Sequence, residues 1–165
     1  MTRLYCTSIP LLPCRKEMQQ AEHRAGRQLL CEALGCNEDD IRIRENGKPY
    51  LPNGPHFSIS HSGGMVLLAV SGEGEIGCDV EPESRVVRNE EAIRRKIAKP
   101  GEEDIPLLRL WVKHEATYKS GLGSKGQVYY PEMPEGYIAA VCCESTPEVF
   151  PWAQSAAVND IGRRC

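Results

Sequence analysis

Three short stretches carry the residue types that could do chemistry. In "EIGCDVEPE" (75–83), Asp79 and Glu81 stand two apart inside a segment that otherwise reads as a buried strand. Residues i and i+2 of an extended strand share a face, so Ile76, Cys78 and Val80 form an apolar face and Gly77, Asp79 and Glu81 the other. Gly77 has no side chain and leaves room for something to approach the two carboxylates. In "LWVKHEATYKS" (110–120), Glu115 falls four residues after Trp111, and Lys119 four after Glu115. Taken alone, that spacing describes a solvated Glu–Lys pair worth ~0.3 kcal/mol. Placed beside Asp79 and Glu81, however, Glu115 completes a trio of carboxylates that repel unless a cation sits among them. Oxygen donors without His or Cys suit Mg²⁺, Mn²⁺ or Ca²⁺, and Mg²⁺ commonly shares its coordination with substrate phosphates. Lys119 is then a charge partner for those phosphates.

The third stretch, "FSISHSGG" (57–64), is friendly to anions: Ser60, His61 and Ser62 offer side-chain donors, and Gly63–Gly64 lets backbone amides approach a ligand. A purely structural turn explains the same residues. A hydrolase nucleophile does not, because Ser60 and His61 are strand neighbours that point apart and no G-x-S-x-G elbow is present. "GKP" at 47–49 is weak by itself.

These residues need elements to hold them. Residues 3–9 read as a first strand and 16–34 as an amphipathic helix stopped by Gly35. "IRIRENGKPYLP" is a short strand running into a turn, where Pro49 and Pro52 prevent regular pairing further on. Residues 56–60 alternate, with Phe57 and Ile59 on one face and Ser58 and Ser60 on the other. "MVLLAVS" (65–71) is a buried strand, with 75–81 as its expected hairpin partner across a glycine-rich turn. Residues 88–98 are helical. The strongest helix covers 104–123, from Asp104 with Pro106 in its first turn, and its apolar stripe is Leu108, Trp111, Val112 and Ala116. Residues 136–144 make the last strand. Strands and helices mix without strict βαβ alternation, so the class is α+β.

Length and composition set outer bounds. The 165 residues are 41% hydrophobic and 26% charged, which suits one globular domain. A formal net charge of −3 gives no global attraction to nucleic acid or an anionic membrane. Local basic patches are "RIR" (42–44), "RRK" (94–96) with Lys99, and Arg163–Arg164. No apolar run approaches the roughly 20 residues that span a bilayer. The N-terminus, broken by Pro10 and Pro13, does not read as a signal peptide, so a cytoplasmic location is expected. The eight cysteines form no C-x-x-C pair and read as reduced packing residues.

"NGKPYLPNGPHFSISHSGG", "IGCDVEP" and "LWVKHEATYKSGLG", in that order, resemble the three signature blocks of the Sfp-type 4′-phosphopantetheinyl transferases. "AEHRAGRQLLCEALG" and "GYIAAVCC" resemble the family's flanking elements, so the likeness spans roughly residues 15–144. The resemblance implies two pseudo-symmetric lobes, about 1–75 and 76–150 with a tail at 151–165, and coenzyme A bound between them. It implies that Asp79, Glu81 and Glu115 hold Mg²⁺ (or Mn²⁺) against the coenzyme A pyrophosphate. Ser60 and His61 match the pair that contacts the 3′-phosphate, Lys48 and Pro49 the turn beside the adenine, and Lys119 the lysine that reaches the pyrophosphate. More loosely, Glu102 matches a candidate base, and Arg15 and Arg27 match phosphate-gripping residues of the first helix. The implied reaction moves the phosphopantetheine arm onto a serine of an apo acyl or peptidyl carrier protein, releasing 3′,5′-adenosine bisphosphate. Carrier proteins are acidic, which makes Arg94, Arg95, Lys96 and Lys99 a candidate docking patch; a solvated helix face is an equal reading.

Two departures stand out. His114 replaces the lysine usual before the helix glutamate, with Lys113 one step earlier. An imidazole carries a fixed positive charge only below about pH 6.5, so phosphate affinity or pH optimum is expected to differ. The chain is also short, and 123–136 lacks the strands normal to the second lobe; a monomer is the expectation. The alternatives are a non-catalytic module that binds coenzyme A or carrier protein, and another Mg²⁺-dependent phosphodiesterase.

Overall fold

In the computed structural model, which describes residues 1–144 and the strand at 152–154, the chain alternates unevenly between sheet and helix. The strands are β1 (Thr2–Ser8), β2 (Arg42–Ile43), β3 (Pro49–Tyr50), β4 (His56–Ser62), β5 (Met65–Ser71), β6 (Ile76–Pro82), β7 (Gln127–Tyr129), β8 (Tyr137–Cys143) and β9 (Trp152–Gln154). The helices are α1 (Arg15–Leu34), α2 (Glu90–Ile97) and α3 (Leu107–Ser120). One sheet runs β4-β5-β1-β9, a second runs β6-β8-β7, and β2 and β3 form a two-stranded ribbon. The α+β class holds.

The core explains the layering. Leu29 and Leu30 of α1 pack on Phe57, Val66, Leu68 and Val70 of the first sheet. On the opposite face of β5, Met65, Leu67 and Ala69 meet Ile76, Cys78 and Val80 of β6 and Ala139, Val141 and Cys143 of β8. Val112 and Ala116 of α3 then cover Ala140 and Cys142 on the outer side of the second sheet. Adjacent Cys142 and Cys143 therefore serve two different cores, as strand alternation requires. Cys6, Cys14, Cys31, Cys36, Cys78, Cys142 and Cys143 form no disulfide among the described residues. Burial pushes the Cys78 thiol up to about 11, which suits a packing residue. Cys165 and Arg163–Arg164 lie outside the described residues.

Gly63 (φ 59°) and Gly64 (φ 85°) supply the two left-handed residues of the tight β4–β5 hairpin, which pairs Ser62 with Met65. The expected hairpin between 65–71 and 75–81 does not form. β5 is flanked by β1 and β4, whereas β6 pairs with β8, Asp79 standing opposite Ala140. An apolar run buried on both faces marks a central strand, and a central strand has no free edge to offer the next segment. Other expectations shift too. α3 begins at Leu107, after an extended Pro106 (ψ 135°), rather than at Asp104. Its buried positions are Leu107, Leu110, Val112, Ala116 and Ser120, with Trp111 packed beside them. β7 falls inside the segment expected to lack strands, and β8 is not the last strand, since β9 lies parallel to β1.

Gly77 is vacant for a reason different from a ligand. A Cβ there would overlap Ala116 O, Ser120 N and Lys119 C, so the absent side chain lets the α3 backbone lie directly on β6. Gly77→Ala is expected to destabilise the protein by about 3 kcal/mol, read from the urea-denaturation midpoint. An unchanged midpoint would show that α3 can lift off β6 without penalty.

Candidate active site

β6 is an edge strand, and its outward N–H groups need partners. β4 provides them through side chains. Cys78 N donates to Ser58 Oγ at 3.1 Å and Val80 N to Ser60 Oγ at 3.3 Å, so two serines that alternate onto one face of β4 cap two successive edge amides of β6. Ser60 Oγ in turn donates to Asp79 Oδ1 at 2.8 Å. Lys119 Nζ reaches down from α3 and donates to both Asp79 Oδ1 (2.7 Å) and Ser60 Oγ (3.1 Å). Lys119 thus bonds across to Asp79 and forms no ion pair with Glu115.

The second oxygen of this aspartate, Asp79 Oδ2, is buried and accepts no hydrogen bond among the described residues. A buried carboxylate oxygen without a donor is costly, and a hard cation is a natural partner for it. Glu81 is also buried; Ser62 Oγ donates to its Oε2 at 2.6 Å, and Arg85 pairs with its Oε1. α3 lies on β6, with Ala116 against Gly77, Lys119 bonded to Asp79, and Trp111 beneath Arg85. Glu115 is half-buried on α3, four residues from Trp111 on one side and from Lys119 on the other. The donor set is all oxygen and fits a divalent cation. It is no preformed cage: among the described residues no group of three or more His, Cys, Asp or Glu is gathered tightly enough to hold an ion.

His61 points the other way from Ser60, as strand neighbours must. Its Nδ1 lies 3.1 Å from Glu22 Oε2, while Glu22 Oε1 accepts from Gly64 N at 2.8 Å. A proton on Nδ1 would let His61 donate to Glu22, the tautomer that leaves Nε2 as the second ring nitrogen. His61 is a shared wall. On one side is a cavity of about 210 Å³ whose lining includes Arg27, Pro49 and His23; on the other is an open cleft of about 650 Å³ whose lining includes Arg15, Ser62, Glu81 and Arg85. Five of the sequence-selected residues, Arg15, Arg27, Pro49, His61 and Glu81, therefore line two adjoining spaces.

Others are placed differently. Lys48 donates to Glu75 Oε2 (2.8 Å) and to Ile76 O (3.0 Å), tying the β2–β3 turn to the start of β6. Arg44 and His56 approach the same carboxylate at 2.9 and 3.2 Å. Glu102 pairs with Lys113 and accepts from Lys99 N; these contacts hold its carboxyl below the usual range, which weakens it as a base. His114 is exposed. In the basic run of α2, Arg94 donates to Glu103 O and Ile105 O and Arg95 pairs with Glu91, so those two are engaged within their own neighbourhood. No helix among the described residues is long and apolar enough to cross a membrane.

Glu22, Glu75 and Arg85 escaped the sequence reading. Glu22 alone had a signal: it occupies a position of the buried α1 stripe with Ala25, Gly26, Leu29 and Leu30, where a carboxylate must have a partner.

The amino-acid sequence has a clear likeness among known proteins. The chain belongs to the 4′-phosphopantetheinyl transferase family. It is 32% identical over 139 residues to the 4′-phosphopantetheinyl transferase AcpT of Escherichia coli O157:H7, covering 74% of this chain and 71% of that one. It is 31% identical over 123 residues to the AcpT of Salmonella typhimurium, covering 67% of this chain. The match spans 64% of the Salmonella protein, a little under two thirds of its length. No family model matches the chain.

Burial opposes ionisation of Glu75, but its bonds to Lys48 and Arg44 prevail and lower its pKa below the usual 4.5. A carboxyl depressed on folding stabilises the protein above its unfolded pKa, and that stabilisation is lost as pH falls through the folded value. Glu75→Gln is therefore expected to cost about 1 kcal/mol at pH 7, a difference that shrinks as pH drops below 4.5. Urea midpoints across pH test this, and a pH-independent difference would contradict it.

Proposed function

We propose that the protein transfers the 4′-phosphopantetheine arm of coenzyme A to a serine of an apo acyl or peptidyl carrier protein, acting as a cytoplasmic monomer of the Sfp type. In this reading the α1-backed sheet and the α3-backed sheet are the two pseudo-symmetric lobes, about 1–75 and 76–150. The observation that carries the proposal is the Asp79 carboxylate: one oxygen held by Lys119 and Ser60, the other buried without a donor beside Glu81, in a chain of this family.

Each residue has a role that follows from its placement. Arg27, Pro49 and His61 receive the nucleotide end in the smaller cavity, with Glu22 fixing the His61 ring so that Nε2 faces a phosphate. Ser60 keeps Asp79 oriented, and Arg15 supplies positive charge on the wall of the open cleft. Lys119 sits where it can move from Asp79 to a pyrophosphate oxygen as negative charge builds on the leaving group. Asp79, Glu81 and Glu115 would hold a Mg²⁺ or Mn²⁺ ion, which when bound neutralises pyrophosphate charge and stabilises the departing nucleotide. The carrier serine hydroxyl gives up its proton to water, and its oxygen forms a bond to the phosphorus that bears the pantetheine arm. The bridging P–O bond breaks, and 3′,5′-adenosine bisphosphate leaves. Glu102 is assigned to holding Lys113 in place of acting as the base for the serine, because its carboxyl is already ion-paired and acidic.

Intact mass of a panel of apo carrier proteins, incubated with the protein, coenzyme A and Mg²⁺, tests the reading. The expected result is addition of one phosphopantetheine, abolished by chelation and lowered at least ~100-fold by Glu115→Ala, but lowered less than ~10-fold by Glu102→Gln. No mass change on any carrier, with coenzyme A still bound, would identify a binding module instead. Hydrolysis of coenzyme A without a carrier would identify a phosphodiesterase.

A further inference from the structure

Glu81 differs from its two companion carboxylates in having both oxygens taken. Ser62 Oγ donates to Oε2 at 2.6 Å, and the Arg85 guanidinium pairs with Oε1. Asp79 keeps Oδ2 bare, and no ion pair engages Glu115 among the described residues. A divalent ion that uses Glu81 has to compete with Arg85 for the same lone pairs.

Arg85 is built to lose that competition. It stands beyond the end of β6, in the link to α2, with its side chain 38% exposed on the wall of the open cleft. Among the described residues its guanidinium otherwise meets the ring of Trp111, whose centroid lies 5.1 Å from the guanidinium carbon. The guanidinium is the exposed half of that pair and Glu81 the buried half, so Arg85 can return to water once another cation takes its place on Glu81. Lys119 is placed otherwise: it bridges Asp79 and Ser60 from a helix packed on β6.

Resting on the reading of Asp79, Glu81 and Glu115 as cation ligands, we propose that Arg85 is a built-in counter-cation. It neutralises Glu81 while the site holds no metal, and it is exchanged for the divalent ion, leaving the Trp111 ring as it goes. The exchange solves a folding problem. Glu81 is buried two residues from Asp79, and without a positive partner the two carboxylates would repel in a poorly solvated place. Lys119 serves Asp79 and Arg85 serves Glu81, so these two buried carboxylates are balanced before the site is loaded. Because Arg85 reports to Trp111, loading has an optical signature independent of transfer.

The test uses the full chain with Trp152→Phe, which leaves Trp111 as the sole tryptophan of two. Trp111 emission is followed during Mg²⁺ titration with coenzyme A present, and Mn²⁺ affinity is measured by electron paramagnetic resonance in the parent and in Arg85→Gln. The expected results are a saturable emission change that is absent in Arg85→Gln, and Mn²⁺ binding about tenfold tighter in that variant. Arg85→Lys, which keeps the charge but stacks less well on the ring, is expected to fall between the two. Emission insensitive to Mg²⁺, or Mn²⁺ affinity that is equal or weaker in Arg85→Gln, would overturn the exchange while leaving the carboxylate ligands standing. Failure of Mn²⁺ to bind the parent or the variant would overturn both.

Discussion

Two serine hydroxyls close the gap between the sheets. Ser58 and Ser60 of β4 accept the outward amides of Cys78 and Val80, which a sheet edge would otherwise leave unpaired. A backbone ladder could have done the same work, but only by merging β4 and β6 into one sheet. Side-chain capping leaves β4 in the first sheet and β6 in the second, with Cys78 and Val80 still pointing into the shared core. Ser60 does more than cap. Its hydroxyl is the common partner of Val80 N, Asp79 and Lys119, so the contact that joins the sheets also aims the carboxylate.

From that contact the site assembles by alternation. With Ile76, Cys78 and Val80 committed to the core, Gly77, Asp79 and Glu81 must face α3. Gly77 then sets how closely the helix approaches, and the approach puts Lys119 onto Asp79 and Trp111 beneath Arg85. On the other side of β4, His61 faces α1 and is met by Glu22, whose second oxygen holds the amide of Gly64 in the hairpin turn. The smaller cavity and the open cleft adjoin because His61 lines both.

The local periodicities were legible. The alternation of 57–60 and of 76–81, the long α1 and the glycine stops of α1 and α3 all follow from which residues face the core within one element. Strand partnership was not. Nothing local distinguishes β8 from β5 as the neighbour of β6, since both are apolar runs; the choice rests on β1 having already claimed the second edge of β5. Gly77 was visible as a gap, but what fills it, a helix backbone, comes from a segment about 40 residues later.

Among site residues, those inside the three signature stretches could be read, and their partners could not. Asp79, Glu81, Ser60 and Lys119 stand out by type and spacing. Glu75 and Arg85 are ordinary charged residues in linking segments, and only the fold shows that one clamps Lys48 and the other covers Glu81. The Glu115–Lys119 spacing also misleads, because an i,i+4 pair is worth little and Lys119 gains more from a buried aspartate.

The bare oxygen of Asp79 is the most direct place to look. Crystals grown with Mn²⁺ and coenzyme A, measured at the manganese absorption edge, would locate the ion without reference to turnover. The predicted result is an anomalous peak against Asp79 Oδ2, with Glu81 and Glu115 as further ligands and the pyrophosphate beside Lys119. A coenzyme A complex with no manganese at Asp79, and with Lys119 still bonded to that carboxylate, would contradict it.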